Sequence, residues 1–430
     1  MLDRQTNDDE LLVPAGARLF HAGMPKTGTT ALQRTAASRR DLLLAHGVRY
    51  PGTGTNHRKA MFAYSARPVG WAGPGGSVPN RTRWDRLASE IRSEGARRVW
   101  LSNENLSDEP EAMLRALLDD SGGPPVVALT LRSLPAQLAS AWQQYLKSGV
   151  WITFETWLQR VIGDTPDPGT TPSFAARCAV GEVVEKWVRL VGKDNVVVVV
   201  IDPSDRTLVP RTFERLVGLP QQSLAEEVLD GHHANRSLSA PEAELLRRVN
   251  RVVRELGDVS WRDYERFVRN GAVEAMLARR TPGPDEARIV PPHWAVDKTV
   301  TLAQHQIQRI SASGVRVVGI LDHLAERVPS VDRARPPQTI PADAAAEALL
   351  AVLSTGLGRG TTFAAPTPPP TPTTTATSPR IEDMPSSTLA RLLALRLRRR
   401  AHRQIRHAWP SAHRRSGQRQ QPQETPTRTP

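Results

Sequence analysis

The sequence predicts an α/β fold, a parallel sheet flanked by helices, followed by a helical C-terminal portion and a disordered basic tail. Three observations carry that expectation. Short apolar runs alternate with helical stretches up to residue 201, the order that puts parallel strands in one sheet with helices on its faces. One run, residues 196–201 (VVVVVI), has the unbroken β-branched character of a strand buried on both sides. Beyond it no further convincing strand is found, only helical periodicity.

The elements follow in order. Residues 1–15 are polar at the start and predict a disordered lead. Residues 17–22 (ARLFHA) predict a buried strand, ending in a glycine- and threonine-rich turn, and 31–44 a helix. A helix over 84–94, a strand over 98–102, a helix over 111–118, a strand over 125–131 and a helix over 135–147 come next. A long helix is expected over 174–191, before the valine strand. The later helices are expected over 242–256, 261–277 and 300–327. Residues 329–341 read as a linker, 342–357 as one more helix, and 361–379, nineteen residues of mostly Pro, Thr and Ala, as an extended low-complexity segment. Residues 386–409 have the pattern of a basic amphipathic helix, with leucines at 389, 392, 393, 395 and 397 and arginines between.

The charge is unevenly spread. The chain of 430 residues carries a net +13, but residues 361–430 hold 12 Arg against 3 acids, leaving the body only mildly basic. The isoelectric point of 10.7 therefore describes an appendage, and specific nucleic-acid binding is not expected. A basic amphipathic tail suits an anionic membrane surface or a partner. No run of 18 apolar residues occurs, so no membrane-spanning helix is expected. The N-terminus lacks the basic-then-apolar layout of a secretory signal, and the single cysteine, Cys178, fits a reducing cytoplasm. The expected location is cytoplasmic, with the tail as a peripheral membrane contact.

Lysine is scarce, with only six residues against 51 arginines, which makes Lys26 conspicuous inside the turn 23–30 (GMPKTGTT). A loop between a strand and a helix N-terminus exposes unpaired N–H groups, and the helix dipole adds to their attraction for an anion. Gly28 permits close backbone approach, Thr27, Thr29 and Thr30 offer hydroxyls and N–H donors, and Lys26 offers a charge. The fold is thus P-loop-like. In G-x-x-x-x-G-K-[ST] loops, however, the lysine follows the second glycine; here Lys26 precedes Gly28 and Thr29 stands in its place. Downstream, Arg132 ends a predicted strand and Ser140 lies near the start of the next helix, where a guanidinium and a hydroxyl can meet on one phosphate.

These two segments resemble the PAPS-dependent sulfotransferase family, whose co-substrate is 3′-phosphoadenosine 5′-phosphosulfate (PAPS). P-K-T-G-T-T resembles its 5′-phosphosulfate loop, and Arg132 with Ser140 its R-x-P-x-x-x-x-x-S pattern for the 3′-phosphate, although Pro135 comes one place late. The likeness runs from about residue 19 to 219, more loosely through 233–239, and is closest to the bacterial branch related to carbohydrate sulfotransferases. It implies a sulfotransferase domain over 16–328, a linker region over 329–385 and a basic tail over 386–430. It also implies that Lys26, Thr27, Gly28, Thr29 and Thr30 bind the 5′-phosphosulfate, that Arg132 and Ser140 bind the 3′-phosphate with Arg236 as a further candidate, and that no metal takes part. Sulfuryl transfer needs a base for the acceptor hydroxyl, and there are two candidates. Glu104 lies just past the second strand, at a sheet end that faces the ligand crevice. His57 follows the first helix, where carbohydrate sulfotransferases carry their base. The acceptor is open among glycans, lipids and small metabolites. The rival readings are a P-loop kinase using ATP and magnesium, and a non-catalytic module acting through its tail.

Overall fold

The structure, a computed structural model, describes residues 11–71, 76–95, 97–167, 169–225 and 236–358. All lie in the first of two units, residues 1–365. The expectations for 1–10, for 233–235, for the Pro/Thr-rich segment and for the basic tail fall outside the described residues.

Six parallel strands form one sheet: β1 (Arg18–His21), β2 (Val48–Arg49), β3 (Arg98–Ser102), β4 (Pro125–Leu131), β5 (Val196–Val200) and β6 (Arg316–Val318), in the order β2-β3-β1-β4-β5-β6. Successive side chains of a strand point to opposite faces, and both faces here are apolar. Phe20, Leu101, Val127, Leu129 and Val198 enter one core, and Leu19, Trp100, Val126, Ala128 and Val197 the other. A third apolar cluster, built on Leu138, Trp142, Phe154, Trp157, Phe174 and Met276, joins the helix Leu134–Leu146 to the C-terminal helices.

Several expectations need correction. β2 and β6 were not foreseen, being edge strands of two and three residues, too short for a periodic signal. The helix expected over 300–327 starts earlier, as His293–Ser313, and ends at Gly314, whose φ of 67° is the left-handed stop that frees 316–318 to pair. The long helix over 174–191 is two, Pro172–Cys178 and Val180–Val191, and helices Phe154–Ile162 and Leu208–Val217 were missed. The lead does not reach residue 15: Leu11 and Val13 are buried, and Val13 donates its N–H to the Leu216 carbonyl at 2.9 Å.

Nor does the folded unit stop at 328. The segment 329–341 is tied to the start of His293–Ser313, with His293 N–H on the Val331 carbonyl at 2.8 Å. The helix Ala342–Gly356 buries Ala344 and Ala351, and its Asp343 accepts from Arg280 Nε at 2.7 Å. That helix packs on a continuous helical run, Trp261–Asp263, Tyr264–Val273 and Glu274–Arg279, whose middle portion has π geometry. No helix among the described residues is long and apolar enough to cross a membrane.

Candidate active site

At the carboxyl ends of β1 and β4, where strand order departs in both directions from β1, lies a cleft of about 1290 Å³. This is where open parallel sheets bind ligands. Its floor is the loop joining β1 to the helix Thr29–Ser38. Gly23 has φ 129°, and a Cβ there would lie 2.8 Å from the Glu104 carbonyl oxygen. Only glycine lets the loop pass so close to the end of β3. Gly28 has φ 75° and caps the helix, with nothing within 4 Å of where a Cβ would sit. The helix start has no side-chain cap, so its first N–H groups remain available to an anion.

Pro25, Lys26, Thr27, Gly28, Thr29 and Thr30 all line the cleft. Lys26 reaches solvent, yet the cleft walls crowd it, and that partial desolvation lowers its pKa. Glu104 opposes the shift, while Arg269, Arg177 and Arg132 add to it. Thr29 Oγ1 donates to Glu104 Oε2 at 2.8 Å. Glu104 is half-buried, lines the cleft, and its Oε1 has no hydrogen-bond partner among the described residues. Arg132 enters from β4 and donates from Nη1 to the Lys26 carbonyl at 3.1 Å. The turn holding Lys26 and the strand end holding Arg132 therefore open on one cleft.

Three expected residues stand elsewhere. His57 is buried beneath the cleft: Ser102 N–H donates to its Nδ1 at 2.9 Å, so its Nε2–H donates to the Pro51 carbonyl at 2.9 Å. Burial depresses its pKa to about 4 despite the backbone bonds. With its lone pair engaged and no access to the cleft, His57 is not placed to act as a base. Ser140 lies on the helical stripe between Ala136 and Gln144, but it is not among the cleft-lining residues, and its hydroxyl donates to the Gln137 carbonyl at 3.0 Å. Arg236 is held by Glu242 through two bonds of 2.7 and 2.8 Å and by carbonyls of Met276 and Leu277; it braces helices.

Beneath the loop lies a polar network that the sequence reading missed. His21, fully buried and held near pKa 3 by desolvation, sits 2.9 Å from Ser102 Oγ and 3.4 Å from Thr130 Oγ1. Thr130 Oγ1 is 2.7 Å from Thr27 Oγ1, and Thr27 donates to the Met24 carbonyl at 2.6 Å. Gln33 donates to Ser102 Oγ and accepts from Asn56. The only signal in the sequence was a histidine inside an otherwise apolar strand.

The outer wall was missed as well. It comprises Arg58, Phe62, Arg67, Trp71, Arg177, Trp261 and Arg269, which line the cleft from four separate stretches of chain. Trp71 belongs to this wall; Trp84 is a core residue whose Nε1–H donates to Asp120 at 2.7 Å. In all, nine arginines and lysines and five carboxylates line the cleft. Asp202, after β5, lines it too, but its carboxylate accepts from Ser204 N–H and Oγ, closing a turn. Among the described residues no group of three or more His, Cys, Asp or Glu could hold a metal ion.

No protein-family model and no curated protein matches the chain. A solved structure, a sulfotransferase from Alicyclobacillus acidocaldarius, superposes with a TM-score of 0.39 at 15% identity, covering 71% of this chain and 96% of that one. A likeness of that degree carries no argument about activity.

Proposed function

We propose that this chain is a sulfotransferase that moves a sulfuryl group from PAPS to a hydroxyl or amine of an acceptor. The observation that carries the reading is the hydrogen bond from Arg132 to the Lys26 carbonyl, which makes one cleft of two anion-binding clusters 106 residues apart in the chain. A donor with phosphate at both ends needs that convergence. The cleft also exceeds the roughly 300–1,000 Å³ usual for one small ligand, leaving room for donor and acceptor together.

In the reaction the acceptor oxygen attacks sulfur, the bond from sulfur to the 5′-phosphate oxygen breaks, and the acceptor proton leaves. Lys26 meets the charge that grows on the departing phosphate oxygen. The N–H groups of Thr27, Gly28, Thr29 and Thr30 face the sulfuryl and phosphate oxygens, donors fixed before reaction and worth most where charge develops. Glu104 takes the acceptor proton on Oε1 while Thr29 holds Oε2. Arg132 has only one of its five donors engaged and binds the 3′-phosphate; Ser140 is given no part in it.

Thermal-shift titration with adenosine 3′,5′-bisphosphate (PAP), against ATP with magnesium, tests the donor. Stabilisation by PAP at micromolar concentration supports the reading. Stabilisation by ATP with magnesium and none by PAP would transfer the cleft to a kinase. Incubation of acceptor pools with PAPS, read by the mass gain of one sulfuryl group, then tests turnover.

A further inference from the structure

We infer that the acceptor is an anion carrying a ring, held against the outer wall by Arg269 and Arg58; this rests on the donor reading above. The wall is stiff and aromatic. Trp71 and Trp261 meet with ring centroids 5.3 Å apart, and Tyr264 packs 4.9 Å from Trp71. Trp71 Nε1–H is fixed on the Ser148 carbonyl at 2.7 Å, Gly149 passes beneath its ring, and Gly70 lies so close to Trp261 that any Cβ would enter the indole. Trp71, half-buried and braced edge-to-face by Trp261, thus offers a preformed apolar surface to a ring at little entropic cost.

The charges on the wall divide into two kinds. Arg177 is paired with Asp108 at 2.9 Å, and Arg67 with Glu109 at 3.1 Å. Arg269 and Arg58 have no carboxylate partner among the described residues, although five carboxylates line the same cleft. Arg269 is half-buried, 5.8 Å from the Trp261 ring centroid, and Arg58 lies 6.0 Å from that of Phe62. Arg58 is also near enough to add to the lowering of the Arg269 pKa that burial begins, which Glu265 and Glu274 oppose without reversing. Two like charges facing each other in a cleft, one of them partly desolvated, leave an electrostatic cost that a bound anion removes. Arg269 moreover stands in the π-helical turn Tyr264–Val273, a distortion that recurs at functional sites. Donor phosphates already engage Lys26 and Arg132 in the donor reading, so the Arg58–Arg269 pair is left for the acceptor.

The test uses the PAP-loaded full chain and two matched pairs: 4-hydroxyphenylacetate against its amide, and methyl β-D-glucuronide against its amide. The acids are expected to stabilise the PAP-loaded protein, and with PAPS to be sulfated with kcat/KM about tenfold or more above the amides, the scale of one charge-assisted hydrogen bond. Arg269→Gln and, separately, Arg58→Gln are expected to erase that preference while PAP affinity stays within about twofold of the parent. Response to only one pair identifies the ring as aryl or sugar. Equal response to acid and amide, or response to neither, overturns the inference. So does a loss of PAP affinity in Arg269→Gln, which would assign that guanidinium to the donor. Failure of the parent protein to bind PAP is a different result and strikes the donor reading.

Discussion

The inner and outer walls of the cleft are built in opposite ways. The inner wall is local: one turn of eight residues supplies Lys26, the N–H donors and Thr29, and two strand ends add Arg132 and Glu104. The outer wall is gathered from four separate stretches, and its rings lean on one another. The inner wall rests on the hydrogen-bonded layer of His21, Ser102, Thr130 and Thr27, which fixes atoms for chemistry. The outer wall rests on edge-to-face and tilted rings and on arginines of which two, Arg67 and Arg177, are held by carboxylates. On the proposed reading, a cleft so divided can change its acceptor without touching its reaction.

That contrast can be broken by substitutions confined to one wall, beginning with the largest effect. Lys26→Ala should lower kcat about 10³-fold, or about 4 kcal/mol of barrier, with the melting temperature held, because the Lys26 side chain makes no hydrogen bond or ion pair among the described residues; unaltered turnover would remove Lys26 from the inner wall. Next is Glu104→Gln. The amide oxygen still accepts from Thr29, so PAP affinity should hold while kcat falls at least about 10²-fold. A fall in PAP affinity matching the fall in rate would make Glu104 a brace and not a base.

His57→Gln sharpens the boundary between cleft and support. His57 is buried neutral with its pKa near 4 against an ordinary 6.5. The unfolded chain therefore binds the proton first. The stability that His57 contributes is complete above pH 6.5 and is lost as pH falls toward 4, by about 3 kcal/mol. His21 adds loss of the same sign. His57→Gln should be less stable than the parent at pH 7.5 in urea unfolding, and the gap should narrow by pH 4.5; a gap constant with pH would mean that folding leaves the His57 pKa at its unfolded value. The smallest effect is expected for Ser140→Ala. PAP affinity should change less than about twofold, where Arg132→Ala should cost about tenfold or more. Equal losses would return Ser140 to the phosphate.

The same division decides how much was legible beforehand. β1, β3, β4 and β5 were readable because an apolar run four to seven residues long has few other fates, and Lys26, Gly28 and Arg132 because turn chemistry marks strand ends. β2 and β6 carry too few residues for a pattern. His57 misled because its neighbours Asn56 and Arg58 are polar, while the ring itself turns inward between the Ser102 N–H and the Pro51 carbonyl. Ser140 has the right spacing, but spacing does not reveal that its hydroxyl is spent on its own helix. Trp261 and Arg269 gave no local sign at all, since each acquires meaning only when tertiary packing brings the rest of the wall beside it.

The helix Ala342–Gly356 has a mechanical consequence. It is clamped to the folded body by Asp343 on Arg280, and its far end meets the π-helical turn, where Arg266 Nη2 donates to the Thr355 carbonyl at 3.3 Å and Thr355 Oγ1 lies 3.4 Å from a Cβ built at Gly271. Residues far from the reacting atoms thus buttress the strut that carries Arg269. If the proposed reading holds, trimming the polypeptide at 328 removes that brace and is expected to weaken discrimination among acceptors more than donor binding.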